Sequence, residues 1–281
     1  MQVFKGHGTE NDFVVLPDFD ATLELTPALV RALCDRHAGI GADGVLRIVG
    51  SENHPEAKEM AADAPYFMDY RNADGSVAEM CGNGVRVVMR YLQGIGLADT
   101  TAAVATRGGI VQVHAEPGAD VTVNLGRPQI LSSRPVVTAA PLAPITATCS
   151  VEMPNPHVVV TVGSAAELAA LELGRAPMVV PSRPDGQNVE FIHRLAARHL
   201  VMRVHERGVG ETRSCGTGIC AAALAVATVD GTGADGVSWR VDVPGGTCQV
   251  VWTLEGEVLL TGPAVLVAAI DLDPAWLASV R

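Results

Sequence analysis

Two stretches of the chain carry a clear helical period. Val85, Val88, Met89 and Leu92 follow i, i+3, i+4, i+7, and so do Ile219, Ala222, Ala223 and Val226. That spacing is one apolar face of a helix. The second stretch is nearly all Ala and small residues, which predicts a helix enclosed on most sides. Each helix is followed by a hairpin pattern. Val111–Ala115 and Val121–Leu125 flank Pro117-Gly118-Ala119-Asp120, and Gln249–Trp252 and Val258–Leu260 flank Glu255-Gly256-Glu257. Further strand-like runs are Phe13–Leu16, Val45–Val49, His157–Val162, Val189–Leu195 and Leu200–His205. The polar, Ala-rich segment Ser51–Pro65 predicts an exposed loop, and Pro-rich Arg134–Pro144 an irregular connector.

The same order of elements occurs twice because the chain is internally repeated. Cys81-Gly82-Asn83-Gly84 returns 134 residues later as Cys215-Gly216-Thr217-Gly218. Gly108-Gly109 followed by Gln112 returns as Gly245-Gly246 followed by Gln249, and Gly126-Arg127-Pro128 is answered by Gly262-Pro263. A weaker fourth match joins Asn11-Asp12-Phe13 to Asn155-Pro156-His157. The period is domain-sized, so the expected fold is α/β of the α+β type: two pseudo-symmetric domains, each a mostly antiparallel sheet wrapped around one central helix. The expected halves are residues 1–124, with 268–281 packing back onto them, and residues 125–267.

Composition narrows the function. The 281 residues are 48% hydrophobic and 18% charged, enough for a large core, and the net charge of −11 argues against a general nucleic-acid or anionic-membrane binder. Only 4% of residues are aromatic, which supplies a base-stacking surface poorly. The longest strongly apolar run, Cys220 to Val229, is about half of the ~20 residues that cross a bilayer. The N-terminal segment lacks a basic stretch followed by an apolar one. A cytoplasmic location is therefore expected, and in that reducing compartment the six cysteines read as packing, metal ligand or nucleophile. Cys34, Cys149, Cys220 and Cys248 read as packing.

Cys81 and Cys215 read differently, because each sits where a glycine-rich turn enters a helix. The first helix N–H groups have no internal partner and carry partial positive charge, which favours a thiolate and lets the backbone approach a carboxylate or phosphate. Two equivalent thiols would face each other if the halves close around a cleft. One would then remove a proton from a carbon while the other protonates its opposite face, which is stereoinversion. Paired metal-ligand spacings, C-x-x-C and the Gly-rich nucleotide fingerprints are absent from the sequence, so no metal or cofactor is expected. Cysteine–histidine nucleophilic catalysis, with His7, His157 or His205, remains open but leaves the duplication unexplained. A redox switch joining Cys81 and Cys215 as a reversible disulfide also remains open.

The motifs resemble those of the diaminopimelate epimerases, PLP-independent amino-acid epimerases. The resemblance is carried by Lys5–Phe13, Arg36–Gly44, Asn72–Arg86, Asn155-Pro156-His157, Asn188–Phe191 and Glu206–Cys220, and extends to Pro244-Gly245-Gly246. It implies two pseudo-symmetric α/β halves with the active site in the cleft between them, and interconversion of L,L- and meso-2,6-diaminopimelate in lysine and peptidoglycan-precursor synthesis, without metal or pyridoxal phosphate. It further implies that Cys81 and Cys215 are the catalytic pair, Cys81 donating and Cys215 accepting a proton in one direction. His157 and Glu206 match positions close to the thiols. Asn11, Asn72, Asn155, Asn188, Glu206 and Arg207 match substrate contacts, and Gly82, Asn83, Gly216 and Thr217 match helix-start positions whose amides hold the reacting carboxylate. A homodimer is also implied. Two departures stand out: Gly44 where many members carry Gln, and Pro154 where Gly is more usual. The nearest alternatives are relatives sharing the fold, the proline or hydroxyproline racemases and the phenazine-biosynthesis-like isomerases. The racemase motif resembles MCGH, whereas this chain has Asn83 after Met80-Cys81-Gly82.

Overall fold

Gln2–Gly8 (β1) and Asn11–Pro17 (β2) pair antiparallel across a two-residue turn, in which Thr9 and Glu10 both have positive φ, 50° and 59°. A two-residue turn of that hand matches the twist of the strands but is costly for residues with a Cβ. Thr9 is held in it by a hydrogen bond from the buried Arg86, Nη2 to Oγ1 at 2.9 Å. The turn thereby delivers Asn11 to the first position of β2.

These strands open one of the two compact units that a computed structural model describes over residues 1–280; the first comprises Met1–Val123 and the chain from Pro263 onward. Gly44–Gly50 (β3) lies parallel to β2, Tyr66–Asn72 (β4) antiparallel to β3, Thr101–Thr106 (β5) parallel to β4, and Gly109–His114 (β6) and Val121–Asn124 (β7) follow antiparallel. A parallel step requires a crossover. Pro27–Cys34 (α1) makes the first and Gly82–Gly94 (α2) the second. Thr26 caps α1 by accepting the Leu29 N–H at 3.2 Å, with Pro27 in the first turn, where its missing donor costs nothing.

The second unit is Asn124–Gly262. Its strands are Gln129–Leu131 (β8), Val136–Thr138 (β9), Ile145–Thr146 (β10), Cys149–Glu152 (β11), Pro156–Thr161 (β12), Met178–Val180 (β13), Asn188–Ala196 (β14), His199–Glu206 (β15), Gly210–Thr212 (β16), Ser238–Val243 (β17), Gly246–Trp252 (β18) and Val258–Gly262 (β19). Ala165–Ala170 (α3) lies in the crossover from β12 to β14, and Gly216–Val229 (α4) in that from β15 to β17. The pairing runs β11–β12 antiparallel, β12–β14 parallel, β14–β15 antiparallel, β15–β17 parallel, then β17–β18 and β18–β19 antiparallel. This is the order of the first unit, step for step. Antiparallel pairs are the majority in both, as expected, and the fold class is the mixed α/β one read from the pattern. Each first strand gains one more antiparallel neighbour: β8 on β11, and Val265–Asp271 (β20) on β1. Pro274–Val280 (α5) packs Leu277 and Trp276 into the core under α1.

Helix α4 is buried from Gly216 to Ala227, the enclosure that its small residues predict. Two segments differ from expectation. Ser51–Pro65 is not simply an exposed loop: Ala57 and Ala64 pack with Phe67 and Ala105, and the Ser51 hydroxyl donates to the Ala64 carbonyl at 2.6 Å. Burying two methyls and one satisfied hydroxyl gives this polar stretch a fixed path. Arg134–Pro144 is not irregular throughout, because β9 within it pairs with β10 and β13 in a small sheet over Leu168, Leu171 and Leu173.

Cys34, Cys149, Cys220 and Cys248 are all buried, in keeping with packing roles. At Cys34, in the core with Leu29, Val30 and Leu33, burial pushes the thiol up to about 12 from an ordinary 9.0. The folded state therefore holds a proton that the unfolded chain releases, so stability is complete below about pH 9 and falls as pH rises toward about 12. Urea midpoints measured from pH 8 to 11 should decline, and Cys34→Ala should flatten that decline; an unchanged slope in the variant would remove Cys34 as its source.

Candidate active site

In the first unit, Cys81 is the N-cap of α2 in an extended conformation, and its Sγ accepts the Gly84 N–H at 3.4 Å. The second glycine of the motif packs closely, since a Cβ on Gly84 would meet Leu46 Cδ2 at 2.8 Å and push that buried side chain aside. The Cys81 Sγ lies 3.8 Å from Asn11 Oδ1, which also accepts from Asn83 Nδ2 at 3.1 Å. Asn83 Oδ1 in turn accepts from Arg86 Nη2 at 2.8 Å. Behind them stands a charged network: Asp43 Oδ2 accepts from Asn11 Nδ2 at 2.9 Å, and Arg36 bonds both Asp43 and Asp12 at 2.8 Å. Lys5 also bonds Asp12. Burial opposes ionisation of Asp12, but Arg36 and Lys5 outweigh it and hold the carboxyl well below the usual range. Asn11 is thus fixed from the rear and faces Cys81 with its carbonyl oxygen.

Asn72 ends β4, where its Nδ2 donates to Ser76 Oγ at 3.0 Å across a turn in which Gly75 has φ +90°. Gly44 pairs with Asn72 in register. A Cβ there would meet the Arg71 carbonyl oxygen at 2.5 Å, so this backbone has no room for a side chain at Gly44.

In the second unit, Cys215 is the N-cap of α4, with Thr217 Oγ1 3.6 Å from its Sγ. Glu206, at the end of β15, lies on the thiol, and the Thr212 hydroxyl donates to its Oε1. Burial pushes the Glu206 carboxyl up, against the hydrogen bonds from Thr212 and Cys215. Cys215 itself is pushed well above the ordinary thiol value by burial and by the carboxylates of Glu206 and Glu190. The expectation of an acidified thiol at a helix start is therefore corrected at Cys215: desolvation and two acidic neighbours outweigh the helix terminus in the ligand-free chain.

His157, the second residue of β12, is fully buried, with Nδ1 2.7 Å from Glu190 Oε1 and Nε2 2.9 Å from Asn155 Oδ1. Asn188 lies opposite His157 in the parallel pair and accepts the Arg207 N–H at 2.9 Å, which ties the Glu206-Arg207 turn to β14. The Arg207 side chain is exposed and reaches the Asp185 carbonyl at 3.2 Å.

Cys81, Asn11, Gly82 and Asn83 are therefore gathered in one unit, with Asn72 on its own turn. Cys215, Gly216, Thr217, Glu206, His157, Asn155, Asn188 and Arg207 are gathered in the other. Sequence reasoning missed Glu190, whose signal was a lone carboxylate in the apolar run Val189–Ile192. It also missed Asp43, Arg36 and Lys5, which lie inside the recognised motifs but read there only as matching letters.

The family model for diaminopimelate epimerase matches residues 3–131 and 149–267. A diaminopimelate epimerase from Streptomyces coelicolor is 51% identical, over 98% of this chain and 96% of that protein. Among solved structures, a phenazine biosynthesis protein of the PhzF family from Bacillus anthracis superposes with TM-score 0.71 at 17% identity, covering 97% of this chain and 98% of that one. A probable proline racemase from Agrobacterium radiobacter superposes with TM-score 0.69 at 17% identity, covering 98% and 95%. At that identity the racemase and isomerase branches share the fold alone, whereas the sequence matches span both halves, and the chain belongs to the diaminopimelate epimerase family.

Proposed function

We propose that this chain interconverts L,L- and meso-2,6-diaminopimelate by taking a proton from one α-carbon and returning one to its other face, with Cys81 and Cys215 as acid and base. The observation that carries this reading is the repeated one: in each unit the helix of the second parallel crossover begins with a cysteine N-cap followed by Gly-x-Gly. Inversion at carbon needs two equivalent proton carriers, and a duplicated helix start supplies two. No helix among the described residues is long and apolar enough to cross a membrane. A cytoplasmic, homodimeric enzyme is part of the same proposal and rests on family membership.

The residues divide the work. The first-turn segments Gly82-Asn83 and Gly216-Thr217 offer backbone N–H groups to the reacting carboxylate, where negative charge grows as the α-proton leaves. Asn11 holds the Cys81 side chain in register. Glu206, with its proton affinity raised by burial, takes the Cys215 proton and leaves the thiolate that attacks the α-hydrogen. Arg207 grips the distant carboxylate, and Asn72, Asn155 and Asn188 bond the two amino-acid ends or hold the residues that do.

Substrate choice tests the reading. Reduced, dialysed protein should convert L,L-diaminopimelate to the meso form and leave L-proline and trans-4-hydroxy-L-proline unchanged, as followed by chiral chromatography. Turnover of proline or hydroxyproline alone would place the activity with the racemases.

A further inference from the structure

Glu190 is fully buried near the start of β14, and nothing in the proposed chemistry requires it to touch substrate. Its Oε1 meets His157 Nδ1 at 2.7 Å, while its Oε2 is buried without a hydrogen-bond partner. A buried carboxylate with one orphaned oxygen is expensive, and such a group persists where it does something a smaller apolar side chain cannot. Its place is also closely shaped: a Cβ on Gly218, in the first turn of α4, would stand 2.7 Å from Glu190 Oε1, so a side chain there would displace the carboxylate. The carboxylate is wedged between the His157 ring and the positive end of the helix that carries Cys215.

The other side of the ring shows what this achieves. Both His157 nitrogens face acceptor oxygens, Glu190 Oε1 at Nδ1 and Asn155 Oδ1 at Nε2. A ring protonated on both nitrogens satisfies that pattern, and the Glu190 carboxylate balances its charge. With its oxygen claimed by the ring, the half-buried Asn155 turns its NH2 outward as a donor.

We propose that Glu190 is a positioning residue: its charge keeps His157 doubly protonated, and His157 thereby locks the Asn155 amide with its NH2 group presented to a substrate carboxylate. In Glu190→Gln the counter-charge is lost, Nε2 gives up its proton and becomes an acceptor, and Asn155 rotates to put its NH2 on the ring and its oxygen toward the substrate. An oxygen in that place repels the carboxylate it should bind. The proposal rests on the diaminopimelate reading for the identity of that carboxylate, but not for the placement of the protons.

The test has two arms. In ¹⁵N NMR of substrate-free protein, with His157 assigned through His157→Asn, both ring nitrogens should appear protonated in the unaltered chain and one should become unprotonated in Glu190→Gln. In steady-state assays, Glu190→Gln should raise KM for diaminopimelate about 10- to 100-fold. Asn155→Ala should raise KM similarly, and combining the two should add nothing further, because both remove one interaction. An unprotonated ring nitrogen in the unaltered chain would overturn the proposal, as would an unchanged KM in Glu190→Gln or fully additive effects in the double variant. If the chain fails to epimerise diaminopimelate, the spectra still decide the charge placement, so failure of the functional reading is distinguishable from failure of this one.

Discussion

Cys81→Ala and Cys215→Ala should each lower kcat/KM for epimerisation by at least ~10³-fold while leaving the fold intact, which corresponds to ~4 kcal/mol of lost transition-state stabilisation. Each direction of the reaction uses both sulfurs, one as base and one as acid, so neither variant keeps a partial pathway to inverted product. Structural damage does not account for such losses. Cys81 is only partly buried, and although Cys215 is buried, replacing its thiol with a methyl also removes a group whose ionisation the surroundings oppose. Cys34→Ala and Cys149→Ala supply the control: both residues are equally buried, yet kcat/KM should stay within about twofold. Far-UV circular dichroism and urea midpoints on all four variants separate folding from chemistry. Equal losses at all four positions would make the thiols structural.

Glu206→Gln should produce the second large effect, a fall in kcat of about 10² to 10⁴-fold with a modest change in KM. Burial raises the Glu206 carboxyl, so it holds a proton more firmly than an exposed carboxylate would and is the acceptor that the Cys215 thiol meets. Glutamine keeps the shape and can still accept from Thr212, but it cannot take the thiol proton. The same substitution removes one of the two negative charges that oppose the Cys215 thiolate, so the thiol should ionise at lower pH in the variant. Thiolate absorbance during a pH titration, in a Cys81→Ala background, measures that shift. A variant with unchanged kcat would remove Glu206 from the proton path.

The central features of the fold were readable from spacing. The helices of the second crossover in each unit announced themselves by an apolar face in α2 and by uniformly small residues in α4, and the repeat of Cys-Gly-x-Gly anticipated the repeated strand order. Other elements were hidden for physical reasons. Strand β1 is interrupted by Gly6 and Gly8, which lack side chains because Cβ atoms there would strike the Val265 and Asn83 carbonyl oxygens at 2.9 Å. Strand β4 carries Asp69 at zero exposure, with Arg47, Arg71 and Arg107 around it, so a buried ionic cluster masks the alternation a strand should show. Helix α1 did have a readable start in Thr26-Pro27, but at eight residues its period is short.

The site was readable only in part. The residues that fix the site lie in motifs as well, but far along the chain from the side chains they hold: Asp43 reaches Asn11 from 32 positions away, and Glu190 reaches His157 from 33. Their pairing depends on strand register, which a single sequence does not display. The ionisation of Cys215 was misjudged for a related reason. Its helix start is visible in the motif, but the two carboxylates that oppose the thiolate arrive from β14 and β15.

The most direct test follows the α-hydrogen itself. Reduced protein without added cofactor is given L,L-diaminopimelate in D₂O, beside its Cys81→Ala and Cys215→Ala variants, and the products are read by ¹H NMR. The two-thiol account predicts meso product carrying deuterium at one α-carbon, formed by the unaltered chain and by neither variant. Meso product formed at an undiminished rate by either variant, or formed without deuterium, would contradict it.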